Sequence, residues 1–157
     1  MGVYIIQQKL FSLNRRFSID DQAGAPAFFV EGKMISIPRQ FTMTDTLGNQ
    51  VAHIKQKLPA LMPTYLIYAG DRLAVTVRRK LGLRPTFELE GPGWTVRGNW
   101  TGHEYDIVDA GGMAQGHISK AWAKMADTYS VETPQGAPDA EVLAVVIAID
   151  AARPRDR

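Results

Sequence analysis

The chain has 157 residues, no cysteine and a formal net charge of +2 at pH 7. The absence of cysteine excludes disulfides and cysteine-based zinc sites, and the small net charge argues against a nucleic-acid-binding protein. Hydrophobic residues make up 45% of the chain and charged residues 22%, which is typical of a globular protein and excludes a disordered one. We expect one folded domain at residues 1–152 and a flexible tail at 153–157.

The first residues carry no recognisable targeting signal. The partly apolar stretch from Met1 to Phe11 is interrupted by the polar residues 7–9, and no small-residue cleavage site follows. The longest apolar run, Val142 to Ile149, is far shorter than the ~20 residues that span a bilayer. We expect no transmembrane segment and a cytoplasmic location, which would be peripheral at the membrane if the protein binds lipid.

Twelve short segments have the composition of β-strands, because they are rich in β-branched and aromatic residues and several alternate between apolar and polar side chains. Turn signals such as Gly91-Pro92-Gly93 separate many of them. The predicted strands are 17–19, 28–30, 34–37, 41–43, 51–55, 65–68, 73–78, 86–89, 94–97, 105–108, 117–121 and 129–131. This spacing predicts a closed barrel or a sandwich.

A repeat relates two parts of the chain at a constant offset of 64 residues. The repeated pairs are Asp45 and Asp109, Gly48 and Gly112, His53 and His117, and Tyr65 and Tyr129. The aspartates suit turns in which the carboxylate accepts backbone hydrogen bonds, and the glycines suit a positive φ. We interpret the repeat as two related halves of one sheet system; chance similarity between β-hairpins is the alternative.

The segment from Pro138 to Arg153 departs from the strand pattern. Its alanines and its early acidic residues, Asp139 and Glu141, predict an α-helix with Pro138 at the first helical position and Arg153 near the other end. Residues 142–149 are apolar on every side of such a helix, so we expect it to be buried all round. A buried strand is the alternative.

Both patterns fit one architecture. About twelve strands can close around a space wide enough for a helix, whereas about eight leave room only for side chains. We therefore predict a mainly β fold, a closed barrel of about twelve mostly antiparallel strands around a buried hydrophobic C-terminal helix. Asp150 would lie near the buried end of that helix, where we expect it to accept hydrogen bonds from the sheet.

A series of motifs runs from about Tyr4 to Asp150. They are 17–21 with Gly24, 30–32, 41–48 with 51–54, Gly102 with 105–109 and Gly112, 118–120 and 148–150. Their order and spacing resemble the LURP-one-related family, which belongs to the tubby-like C-terminal domain superfamily with tubby and the phospholipid scramblases. The resemblance implies a twelve-stranded barrel around a hydrophobic helix and no established enzyme activity; tubby itself binds phosphoinositides.

No motif typical of a hydrolase, a nucleotide-binding loop or a dinucleotide fold occurs in the chain. We interpret His53, His103 and His117 as ordinary strand histidines, because the repeat would hold the first and last of them apart and a metal needs converging ligands. The aspartates of the Asp-x-x-Gly segments are interpreted as turn residues and not as acid–base or calcium-binding groups. We expect no enzyme, no cofactor and no metal.

The densest basic cluster is Arg78-Arg79-Lys80, with Arg84 nearby. A basic run at the similar place in tubby helps hold a phosphoinositide headgroup, so the resemblance implies that Arg78, Arg79 and Lys80 bind a ligand, and we add Arg84 as their neighbour. Clustered cations can contact phosphate oxygens. A solvated hairpin end is the alternative interpretation of the same residues.

These observations predict a non-enzymatic binding module of unassigned physiological role. Its ligand would be a phospholipid or phosphoinositide headgroup or a small anionic molecule. A scaffold that binds another protein and no lipid is the alternative, and an enzyme of unrecognised type is a third hypothesis. We expect no nucleic-acid partner.

Overall fold

The computed structural model describes residues 2–7, 16–33, 38–83, 86–120 and 128–152, with the backbone alone at Lys33. Its twelve strands form one closed barrel, in which each strand pairs antiparallel with the next and β1 pairs with β12. The strands are β1 Gly2–Gln7, β2 Arg16–Asp21, β3 Pro26–Lys33, β4 Gln40–Asp45, β5 Gln50–Gln56, β6 Thr64–Ala69, β7 Arg72–Lys80, β8 Thr86–Glu90, β9 Trp94–Asn99, β10 Glu104–Val108, β11 Ala114–Ser119 and β12 Thr128–Thr133. The predicted barrel is confirmed.

The helix α1, Asp139–Ala151, fills the interior of the barrel. Residues 142–149 are fully buried on every face, and the helix contacts β5, β6 and β7 on one side and β12 on another. Each Val, Leu or Ile side chain removed from water in this way contributes roughly 1.5–3 kcal/mol. The prediction of a helix buried all round is therefore confirmed, and the alternative of a buried strand is excluded.

One detail at the start of α1 differs from the expectation. Pro138 is the residue before the helix and has an extended backbone, so it is not the first helical residue; its carbonyl accepts a hydrogen bond from the Val142 amide at 3.0 Å. Arg153 lies outside the described residues. Arg39, the residue before β4, donates to the Ala151 carbonyl at 2.8 Å, which places a cation at the negative end of the helix dipole.

Side chains alternate along most strands, so that one face packs on the helix and the other faces solvent; β12, in which Thr128 and Ser130 are also buried, is an exception. On β4, for example, Phe41 and Met43 are buried while Thr42 between them is half-buried. Eleven of the predicted strands overlap strands of the barrel. The twelfth, 34–37, lies outside the described residues, and β1 was not predicted. No helix in the described part of the chain is long and apolar enough to cross a membrane.

The two ends of the barrel differ. One end, here called the turn end, carries the start of α1 and the tight turns that follow β2, β4, β6, β8 and β10. The opposite end, here called the loop end, carries the last turn of α1 and the segments 57–63, 81–83 and 100–103. This polarity follows from the antiparallel order, since every second connection returns to the same end.

One turn is built three times at the turn end. In each copy an aspartate Oδ1 accepts backbone hydrogen bonds from the residues two and four positions later, at 2.9–3.0 Å. The glycine three positions after the aspartate has φ between +84° and +88°. The pairs are Asp21 with Gly24, Asp45 with Gly48, and Asp109 with Gly112. The predicted role of these aspartates as turn residues is confirmed.

Candidate functional site

The predicted basic cluster lies at the loop end of β7, and the alternation of the strand divides it between two faces. Arg78 and Lys80 lie on the outer face of the barrel with the glutamates of β8. Arg78 Nη1 is 2.6 Å from Glu90 Oε1, and Lys80 Nζ is 3.5 Å from Glu88 Oε2. Glu88 Oε2 is also 4.0 Å from Arg78 Nη1. The structure therefore brings Arg78 and Lys80 together in a mixed ion-pair network.

Arg79 lies on the other face of β7, in step with the buried Val77. Its guanidinium carbon is 5.5 Å from the centre of the Trp100 ring, and Trp100 packs edge-on against Phe87 with ring centres 4.8 Å apart. The Nε atom of Arg79 is buried and has no hydrogen-bond partner among the described residues. Arg79 thus packs over aromatic side chains at the loop end and does not extend the outer cation pair. Arg84 lies outside the described residues.

An open cleft of about 290 Å³ adjoins Arg78 at the loop end. It is lined by Lys57, Arg78, Thr64 and the segment 59–62. Two backbone hydrogen bonds attach this segment to the barrel, from the Lys57 amide to the Thr64 carbonyl at 2.9 Å and from the Arg79 amide to the Pro63 carbonyl at 3.0 Å. The lining of the cleft therefore combines two cations, Lys57 and Arg78, with the apolar side chains of segment 59–62.

Charge is distributed unequally between the two ends of the described barrel. The turn end carries mainly carboxylates, namely Asp20, Asp21, Asp45, Asp71, Asp109, Glu132, Asp139 and Glu141, with Arg72 as a cation among them. The loop end carries mainly cations, namely Arg16, Arg39, Lys55, Lys57, Arg78, Arg79, Lys80 and Lys120, and its acids are Glu31, Glu88, Glu90, Glu104 and the buried Asp150. A net charge near zero therefore conceals a dipolar molecule whose loop end is the positive end.

A buried polar cluster closes the same end of the barrel from inside. His103 Nε2 is 3.0 Å from Asp150 Oδ1, the Tyr129 hydroxyl donates to Asp150 Oδ2, and the rings of His103 and Tyr129 stack with centres 4.2 Å apart. All three side chains are buried, which favours a structural role in fixing the helix end. The prediction that Asp150 accepts hydrogen bonds from the sheet is confirmed.

The interpretation of His103 as a strand histidine was wrong. It lies in the turn before β10 and has φ of 56°, a conformation that costs energy for a residue with a Cβ and needs support from its surroundings. The hydrogen bond to Asp150 and the stacking on Tyr129 supply that support.

The other two histidines lie on opposite walls of the barrel. His53 on β5 is 3.2 Å from Thr42 Oγ1, and His117 on β11 is 2.6 Å from Asp106 Oδ1. β5 and β11 are separated by half of the twelve-stranded ring, so the repeat holds these imidazoles apart as predicted. In the described part of the chain, no three His, Asp or Glu side chains are arranged to hold a metal ion.

Comparison with known proteins agrees with this architecture. The sequence profile of the LURP-one-related family matches residues 3–150. The chain belongs to the LURP-one-related family. An X-ray structure of a protein from Arabidopsis thaliana superposes with a TM-score of 0.65 at 16% identity, covering 97% of this chain and 91% of that one. At this identity the likeness establishes the fold alone. No curated protein matches the chain by sequence.

The match to the LURP-one-related family extends from β1 to the last turn of α1, so it includes every wall of the barrel and both of its ends. The sequence of this family member indicates the cations of β7 but not the cleft beside them. One signal of the cleft is the segment Leu58-Pro59-Ala60-Leu61, whose leucines have no place in the strand alternation. That signal is weak, because the segment lies between two predicted strands and resembles an ordinary connection.

Proposed function

We propose that this LURP-one-related protein is a non-enzymatic binding module that recognises anionic phosphate groups, as in phospholipid or phosphoinositide headgroups, at its loop end. The observation that carries the proposal is the open cleft lined by both Lys57 and Arg78, with Lys80 two residues beyond Arg78 on the same strand at the positive end of the barrel. Exposed cations around an open concave surface suit a phosphate ligand, which presents several acceptor oxygens.

The glutamates of β8 do not prevent such binding. The Arg78 and Lys80 side chains are 37% and 55% exposed, and those of Glu88 and Glu90 are 38% and 45% exposed. Exposed ion pairs of this kind contribute only about 0.2–1 kcal/mol, so a dianionic phosphate can replace a glutamate as the partner. Each cation near an anionic lipid surface contributes on the order of 1 kcal/mol to the free energy of binding. Stable binding therefore requires several cations to act together.

Two substitutions on one strand test the proposal. Arg78→Glu should reduce co-sedimentation with phosphatidylserine- or phosphoinositide-containing vesicles about tenfold, because it reverses a charge in the cleft. Arg72→Glu is the matched control, since Arg72 lies at the opposite end of β7 and also pairs with a glutamate, Glu141, at 2.9 Å. The Arg72→Glu variant should bind the vesicles as the unaltered protein does.

Equal binding by both variants would show that the cleft beside Arg78 is not the binding site. Failure to bind any anionic vesicle or soluble phosphate would show that the ligand is not an anionic phosphate group. Saturable binding of one purified protein partner, unaffected by Arg78→Glu and without lipid binding, would favour the scaffold alternative.

A further inference from the structure

Exposed leucines are concentrated in the two loops beside the cleft. Leu61 and Leu83 are fully exposed, with relative accessibilities of 103% and 105%, and Leu81 is 77% exposed and Leu58 48%. Single exposed apolar residues are common on protein surfaces. Four leucines in two short segments at one end of a barrel form instead an apolar group that water solvates poorly.

The two loops are neighbours in the fold. Segment 57–63 joins β5 to β6, and segment 81–83 follows β7, whose residues 72–78 pair with β6. The hydrogen bond from the Arg79 amide to the Pro63 carbonyl, at 3.0 Å, connects the base of one loop to the strand that carries the other. The leucines therefore project from adjacent loops of one sheet.

Cations lie at the base of these loops. Lys57 begins the first loop, and Arg78 and Lys80 end the strand that leads into the second. Apolar side chains beyond a row of cations match the layers of an anionic membrane surface, where phosphates lie outside the acyl chains. The carboxylates of the turn end would then face away from the membrane, so the dipolar charge distribution favours the same orientation.

We propose that segments 57–63 and 81–83 insert their leucines into the interfacial region of an anionic bilayer while Lys57, Arg78 and Lys80 contact the lipid phosphates. This inference rests on the proposed function and deepens it, because it names a bilayer as the partner in place of a soluble phosphate. The charge complementarity described above favours a membrane over an apolar groove of another protein, which would not need the surrounding cations.

The turn end offers a matched control for this inference. Leu47 is 86% exposed and Met113 is 68% exposed, and both lie in turns next to an aspartate, Asp45 or Asp109, that would be repelled by anionic lipid. Exposed apolar residues at the two ends therefore have opposite electrostatic surroundings, and only those of the loop end are expected to enter a membrane.

The absence of cysteine from the chain permits a direct test. Leu61→Cys and, as control, Leu47→Cys would each be labelled with an environment-sensitive fluorophore and mixed with phosphatidylcholine vesicles with and without phosphatidylserine. The emission at position 61 should shift to the blue with phosphatidylserine and be quenched by nitroxide-labelled acyl chains, and the emission at position 47 should not change. Both sites are exposed, so neither substitution should disturb folding.

Binding strength gives a second measurement. Leu81→Ala combined with Leu83→Ala should weaken vesicle binding about tenfold, whereas Leu47→Ala combined with Met113→Ala should leave it unchanged. Neither pair should alter the binding of a soluble inositol phosphate.

Three results would overturn the inference, and each has a different consequence for the proposed function. If vesicles bind in an Arg78-dependent manner but the label at position 61 reports water, insertion is wrong and the proposed function stands. If only the soluble phosphate binds, the bilayer is wrong as the partner, and the phosphate site survives. If neither binds and the leucine pair is needed for a saturable protein partner, both proposals fail.

Discussion

Tyr65 and Tyr129 hold the same end of the buried helix from opposite walls of the barrel. The Tyr65 hydroxyl donates to the Ala151 carbonyl at 3.3 Å, and the Tyr129 hydroxyl donates to the Asp150 carboxylate. They lie at the start of β6 and β12, which are half a ring apart, and they are separated by the 64-residue offset of the sequence repeat. The repeat therefore gives the barrel two equivalent positions from which to hold one helix.

The two tyrosines should nevertheless differ in their contribution to stability. Tyr129→Phe removes a hydrogen bond to a buried carboxylate and should lower the free energy of unfolding by about 2–3 kcal/mol. Tyr65→Phe should cost about 1 kcal/mol, because the Ala151 carbonyl keeps its hydrogen bond from Arg39. Urea unfolding measured by tryptophan fluorescence would give both values.

Tyr68→Phe is a suitable control for this comparison, since Tyr68 lies on the same strand as Tyr65 with a half-buried side chain. A larger loss for Tyr65→Phe than for Tyr129→Phe would contradict the assigned order of the two contacts.

The buried cluster of His103, Tyr129 and Asp150 should be sensitive to removal of its carboxylate. Asp150→Leu leaves the His103 ring and the Tyr129 hydroxyl without this acceptor at a site where both are buried. Loss of this acceptor costs about 1–3 kcal/mol for each of the two buried groups, so the expected loss is about 2–6 kcal/mol. Asp150→Asn keeps one acceptor oxygen, so it should lower the free energy of unfolding by less than Asp150→Leu does. Thermal and urea unfolding of the two variants would check this order, and unchanged stability of Asp150→Leu would show that the cluster is dispensable.

The helix and most strands could be predicted because their signals are local. Residues 142–149 are apolar on every face, which is typical of a fully enclosed helix, and the alanines and early acidic residues of this segment favour a helix over a buried strand. β1 could not be predicted in the same way. Its six residues adjoin the polar segment 7–9, and its pairing with β12 joins segments at opposite ends of the chain. A contact between such distant segments leaves no periodic signal in either of them.

The candidate site shows a different limit. Neighbouring cations in the sequence suggest one cluster, but the alternation of β7 turns Arg79 away from Arg78 and Lys80. That alternation can be inferred from Val75 and Val77 alone. The positions of the β8 glutamates and of the loop 57–63 beside Arg78 cannot be inferred from the sequence, because they depend on the register between strands.

The repeated turns should respond to substitution of the glycine with positive φ. Gly112→Ala places a Cβ in open space, so its cost is backbone strain alone and should be about 1–2 kcal/mol. Gly111→Ala is the control, since its Cβ would lie at an ordinary 3.5 Å from Asp109 Oδ1 and should change stability by less than about 0.5 kcal/mol. Comparable losses for both variants, measured by urea unfolding, would contradict the assignment.

His53 should make stability depend on pH below neutrality. Burial and then the charge of Lys55 disfavour the imidazolium form and hold the pKa of His53 below its usual value of about 6.5. The folded state therefore binds this proton less readily than the unfolded state, and the contribution to stability is complete above about pH 6.5 and is lost as the pH falls below it. Titration of the His53 Cε1–H resonance by NMR would measure the pKa directly.

Lys55→Gln separates the two causes of this shift. It should raise the pKa of His53 only part of the way to the usual value, because burial is the larger cause and remains in the variant. Lys57→Gln is the control, since Lys57 lies beyond the end of β5 and does not contribute to the shift. A pKa of His53 at or above about 6.5 in the unaltered protein would contradict the assigned desolvation. Complete restoration of the usual pKa of His53 by Lys55→Gln would show that the charge of Lys55 causes the whole shift.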